Sequence, residues 1–205
     1  MEFSGTFELE GTTVDEVWLA LSDPVLIADA LPGCEYLLPV DEGGVDFDEL
    51  AERADEMGEL TADPEIIAER AFREGQRYAG VVGISVGPVN PTFETVVTIT
   101  ERDGRRMSAE GEGSSGDSTF EMESWMELSE TDNGVEIEWH TDADVFGRIA
   151  NMGQRVINPV ANRVVKRFFT SVQDTLEELS VADVEEAEEA DDRGIVSRVL
   201  GRGKD

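Results

Sequence analysis

Apolar and polar residues alternate strictly in two distant stretches of the chain. Phe3, Gly5, Phe7 and Leu9 hold one parity, and Glu2, Ser4, Thr6, Glu8 and Glu10 hold the other. Val135, Ile137, Trp139 and Val145 repeat the arrangement against Glu136, Glu138, His140, Asp142 and Asp144. A period of two describes a strand with one buried and one wet face. Between them, Tyr78, Val82, Ile84 and Val86 share a parity, Phe93, Val97 and Ile99 face in on the next strand, and Phe120, Met122, Met126 and Leu128 line another. Arg105–Gly113 reads as a short glycine-rich strand, and Asp103-Gly104 and Asp132-Asn133-Gly134 read as turns.

A one-sided antiparallel sheet needs a cover for its apolar face. The segment long enough to supply it follows the last strand. From about Gly147, Ile149, Met152, Val156, Val160, Val164, Phe168, Val172, Leu176 and Leu179 recur every three or four residues. Pro159 interrupts this stripe without shifting its phase, which predicts a kinked continuous helix rather than a cap and restart. One helix lying across a curved sheet leaves space between them, so the pattern predicts a container.

Near the N-terminus, Thr13-Val-Asp-Glu16 forms a capping box ahead of Val14, Val17, Trp18 and Leu21. Asp23-Pro24 opens a second short helix, which ends at Leu31-Pro32-Gly33. A strand over residues 34–40 follows. Residues 41–75 then break the pattern, with thirteen acidic residues against Arg53, Arg70 and Arg73. Phe47, Leu50, Ala54 and Met57 suggest one amphipathic helix there, and Ile66, Ile67, Ala71 and Phe72 another. Two roles stay open for this insertion, a solvated excursion or a lid over the container mouth.

Charge changes the picture. The chain carries a formal net charge of −31 over 205 residues, and Lys166 and Lys204 are its two lysines. Such self-repulsion weakens a compact state in dilute buffer, and molar salt, with a Debye length of about 3 Å, removes most of it. The composition therefore reads as a halophilic surface. It also argues against nucleic-acid binding, since the surface repels phosphate. The N-terminus lacks the basic and apolar regions of a signal peptide, no run approaches a membrane-spanning helix, and Cys34 stands alone. The expectation is a cytoplasmic protein.

Candidate chemistry is sparse. His140 is the sole histidine and shares parity with Glu136, Glu138, Asp142 and Asp144, so it points to solvent. A Cys–His nucleophile pair or a zinc site lacks the residues it needs. Gly111-Glu-Gly113-Ser-Ser-Gly116 lacks the lysine of a phosphate loop and reads as a bend at a sheet corner. No catalytic residue, metal site or cofactor is expected. Cys34, beside Glu35, reads as a structural thiol. The candidate binding site is the space between sheet and helix, lined by Tyr78, Val82, Ile84, Phe93, Val97, Met122, Met126, Trp139, Met152, Val156, Val164 and Phe168. Flexible methionines and broad aromatic faces suit a lipophilic guest.

Composition divides the end of the chain. Residues 1–180 form the sheet-and-helix domain, and residues 181–192 read as an acidic linker. Residues 193–205 then hold Arg193, Arg198, Arg202 and Lys204 beside Ile195, Val196, Val199 and Leu200. A basic amphipathic segment of this kind reads as a docking element for a membrane surface or a partner. The expected location is cytoplasmic, with peripheral contact at the inner membrane face.

The order of strand, two short helices, six strands and long helix resembles the helix-grip superfamily, also called START-like or SRPBCC. An α+β fold with a seven-stranded antiparallel sheet wrapped around the C-terminal helix is what this likeness implies. Phe3-Ser-Gly-Thr-Phe7, Val17-Trp18, Leu31-Pro-Gly-Cys-Glu35, Tyr78-Ala-Gly-Val81, Val86-Gly-Pro-Val89, Gly111-Glu-Gly113 and the stretch from Phe146-Gly147 to Phe168-Phe169 resemble one branch of it, the G-subunit family of carbon monoxide dehydrogenase. The insertion at 41–75 and Pro159 depart from that branch's pattern. The resemblance implies a non-catalytic accessory protein that binds a quinone-like lipid in the cavity and helps recruit a molybdenum-containing dehydrogenase to the membrane. Cyclases, hydratases and plain carriers share the superfamily, so an enzyme or a ligand-free assembly factor are the rival readings.

Overall fold

The alternating segments assemble into one sheet. The computed structural model describes the backbone of residues 1–200 and the side chains of residues 1–179. Seven antiparallel strands lie in the order β1-β7-β6-β5-β4-β3-β2. They are β1 (Glu2–Glu10), β2 (Cys34–Val40), β3 (Arg77–Gly83), β4 (Thr92–Asp103), β5 (Arg106–Ser115), β6 (Ser118–Glu130) and β7 (Gly134–Gly147). The register pairs Gly5 with Trp139, Trp139 with Met126 and Met126 with Met107. Directly paired residues share a face, so one apolar surface runs across the sheet.

Two short helices, α1 (Val14–Leu21) and α2 (Pro24–Ala30), follow β1. The capping box at Thr13 and Glu16 is formed, and the Asp23 carboxylate caps α2 by accepting from the Val25 amide at 3.0 Å. Asp23 is 1 % exposed and also accepts from Arg70 Nη2 at 2.7 Å. Beside it, Arg102 donates to the Ser22 hydroxyl at 3.0 Å and lies 5.0 Å from the Trp18 ring centroid. These contacts fasten the α1–α2 corner to the insertion and to β4.

The insertion holds α3 (Phe47–Glu52), a 3-10 turn (Ala54–Met57) and α4 (Pro64–Arg70). Its first half packs on the outer face of the sheet. Leu50 is buried there against Tyr36, Leu38 and Ala79, with Val40, Val81 and Val96 alongside. Its second half reaches the inner face, where Phe72 meets Tyr78 edge-on at 4.7 Å and joins Ile99 and Met107. Most of the insertion is exposed to solvent, and Leu50 and Phe72 anchor it on the two faces. It clamps the β2 edge from both sides.

The long helix, α5 (Gln154–Leu200), continues through Pro159. Pro159 is exposed, so the Arg155 carbonyl it leaves without a helical partner can be hydrated. Two expectations are corrected. The helix starts at Gln154, not Gly147, because Gly147 (φ 80°) and Gly153 (φ 76°) bracket a reversal in the left-handed region. Ile149 and Met152 therefore belong to this connection, with Met152 in a 3-10 turn. Likewise β3 stops at Gly83, whose amide bonds to Gly33 O at 2.8 Å, so Ile84 and Val86 sit in the β3–β4 loop. The predicted linker 181–192 and tail 193–205 lie outside the residues whose side chains are described.

Candidate functional site

The inner face has a filled end and an open end. At the filled end, Leu9, Val17, Leu21, Leu26, Leu128, Val135 and Ile137 pack under Phe169 and Val172 of α5. Tyr78, Val97, Met126, Trp139 and Phe168 belong to this core or pack against it. Tyr78 is 2 % exposed, and its hydroxyl donates to Gln76 Oε1 at 2.8 Å. Burial holds that phenol above its ordinary range. Five of the predicted lining residues are therefore core, or the wall between core and gap.

The open end gathers the others. Val82, Ile84, Met122, Met152, Val156 and Val164 join no buried cluster, and each is half-buried. Phe93 is buried, with its ring edge-on to Phe120 at 5.3 Å. These apolar residues remain half-exposed, so solvent reaches part of each side chain. The rim is visible at Gly87. A Cβ there would lie 3.7 Å from Val156 Cγ1 and 3.8 Å from Met152 Cε, so the β3–β4 loop hangs over the start of the helix region.

Glycines set the depth of this gap. A Cβ on Gly111 would lie 2.6 Å from Met122 Cε, one on Gly113 would lie 2.5 Å from Phe120 Cε1, and one on Gly5 would lie 3.2 Å from Trp139 Nε1. The large side chains rest across their paired glycines, flat on the sheet rather than standing toward α5. One polar pair interrupts the apolar floor. Ser124 Oγ lies 2.7 Å from Thr141 Oγ1 and donates to the His140 carbonyl at 3.0 Å. On that assignment Thr141 donates to Ser124, and both hydroxyls keep acceptor capacity.

Other candidates fall where their parity places them. His140 is on the outer face, its ring 5.9 Å from that of Trp125. Cys34 is half-buried, its thiol contacts Tyr36 O at 3.4 Å, and burial, helped by Glu35, pushes its pKa up to about 11. No group of His, Cys, Asp and Glu among the described residues is arranged to hold a metal ion. No helix among the described residues is long and apolar enough to cross a membrane.

Sequence reading missed a second surface. Residues 145–173 contain no Asp or Glu, yet hold Arg148, Arg155, Arg163, Lys166 and Arg167. The signal was present as the longest acid-free run of an acidic chain. Attention to apolar spacing passed over it.

Residues 69–177 match the family model for the carbon monoxide dehydrogenase G-subunit, CoxG. No curated protein matches the sequence. Among solved structures, a conserved protein from Geobacillus kaustophilus superposes with a TM-score of 0.64 at 20 % identity, covering 87 % of this chain and 96 % of its own. The Zhui aromatase/cyclase from Streptomyces superposes with a TM-score of 0.53 at 14 % identity, covering 86 % and 93 %. A protein from Thermus thermophilus gives 0.55 at 10 % identity, covering 88 % and 99 %. These likenesses establish the helix-grip fold.

Proposed function

The chain belongs to the CoxG family of carbon monoxide dehydrogenase, and from that premise we propose that it is a non-catalytic accessory protein. It binds a flat lipophilic molecule, quinone-like or another lipid, between the open end of the sheet and the first half of α5. It helps bring a molybdenum-containing dehydrogenase to the membrane, with residues 193–205 as its docking tail.

The half-exposed inward set at the open end carries this reading. A filled interior would have left only an assembly role. Met122 and Met152 offer polarizable thioethers to a ring, and Val82, Val156 and Val164 give stiff apolar walls. The Ser124–Thr141 pair gives one end of a ligand a polar contact. The rival reading, a cyclase or hydratase, needs a positioned acid or base. The inward positions around the gap on β4 to β7, from Thr95, Val97, Gly111 and Gly113 to Phe120, Met122, Ser124, Thr141 and Val145, carry no carboxylate, imidazole, amine or thiol.

Native mass spectrometry of the protein purified from its own host tests the reading. A retained lipophilic mass is expected, absent from Val164→Phe and Gly111→Val, which fill the gap from opposite sides. Protein that carries no mass, or variants that retain it undiminished, would contradict it.

A further inference from the structure

The first half of α5 turns a different surface outward. At about 100° per residue, Arg155, Arg163, Lys166 and Arg167 fall on one side of the helix with Asn158, Asn162 and Thr170. All seven are exposed, while Val164, Phe168 and Val172 turn away from them toward the sheet, and half-buried Val156 lies at the edge of the charged side, between the directions of Arg163 and Arg167. The rise of the helix sets Arg155 and Arg167 about 18 Å apart. None of the ion pairs among the described residues engages these four cations. Asp174 ends the stripe.

We propose that this face docks an acidic surface of a partner protein. The partner is the dehydrogenase complex, so this inference rests on the accessory reading given above. Charge complementarity carries it. Over a body of net charge −31, an acidic partner is repelled wherever acids dominate and admitted at the acid-free face. The face thereby fixes orientation as well as contact. Three of its four cations are arginines, whose planar guanidinium pairs bidentately with carboxylates. A bilayer is a poorer fit. An interfacial helix needs an apolar side to enter the lipid, and the apolar side of α5 is turned to the sheet. A second copy in a symmetric pair would set this face against itself, cation against cation.

The test uses the full chain and the purified dehydrogenase complex of its host in about 0.5 M KCl, where only near-contact charges act. The variant is Arg163→Glu/Lys166→Glu/Arg167→Glu, with Arg155→Glu as a milder companion. Both change exposed residues, and far-ultraviolet circular dichroism checks their fold. Affinity is expected to fall roughly 30-fold or more in the triple variant and less in the single one. A carbodiimide is expected to couple Lys166 to a carboxylate of the dehydrogenase. Triple-variant binding equal to wild type overturns the docking face and leaves the accessory reading standing. Failure of the wild-type chain to bind the complex overturns the accessory reading, and this inference with it. A variant that loses binding to phosphatidylserine vesicles but not to the dehydrogenase makes lipid the occupant and overturns it too. So does coupling of Lys166 to a second copy of this chain.

Discussion

Gly111 and Met122 show how one residue decides what its neighbour does. With a hydrogen as its side chain, Gly111 lets Met122 lie along the sheet. Any larger residue there forces the end of the Met122 side chain to move. Cys34 shows a second residue-scale effect, through protons. Burial raises its thiol from the ordinary 9.0 to about 11, so between these values the folded protein keeps a proton that the unfolded chain has lost. Folding then binds more protons than unfolding does, and stability falls as pH rises from about 9 to 11, by at most about 1.4 kcal/mol per pH unit. Tyr36 and Tyr78, both raised by burial, add to the same trend at higher pH. Urea unfolding across this range should show the decline, and Cys34→Ala should lessen it.

Elements show where sequence periodicity is enough and where it is not. The strands were legible because a period of two names the buried face without knowledge of its cover, as the pairing of Phe7 with Ile137 illustrates. The helix was legible for the same reason over Val156 to Val172. The connection before it was not, because Ile149 and Met152 keep the helical spacing by coincidence, while Gly147 and Gly153 decide the backbone. The stripe of Phe47, Leu50, Ala54 and Met57 was visible, but nothing in a stripe says what it packs against. Its partner turned out to be Tyr36, Leu38 and Ala79 on the outer face. That placement makes a prediction. Leu50→Ala should cost about 2–4 kcal/mol in urea unfolding and leave ligand binding unchanged, since the sheet stands between the two. A comparable loss of ligand affinity would show that the clamp on the β2 edge reaches the gap.

At the scale of the molecule, two asymmetries matter. One is the contrast between the filled core under Phe169 and the half-exposed apolar set of Met122, Met152, Val156 and Val164. A list of inward residues could be read from parity. Which of them fill the core depends on where α1, α2 and Phe72 come to rest, and spacing along the chain does not contain that. The other asymmetry is charge. A body at −31 repels itself in dilute buffer, and raising KCl from about 0.1 to about 2 M should raise the melting temperature as the Debye length falls from about 10 Å toward 3 Å or less. A melting temperature indifferent to salt would remove the halophilic reading. The gap itself is best probed through methionine, because the methionines are spread across the regions that need separating. Met122 and Met152 border the gap, Met107 lies in the filled end, and Met57 is on the outer face. In a methyl-carbon NMR titration with a short-chain quinone, the resonances of Met122 and Met152 should shift saturably while those of Met57 and Met107 stay in place. Unmoved Met122 and Met152, or shifts centred on Met57, would contradict a lipophilic site between sheet and helix.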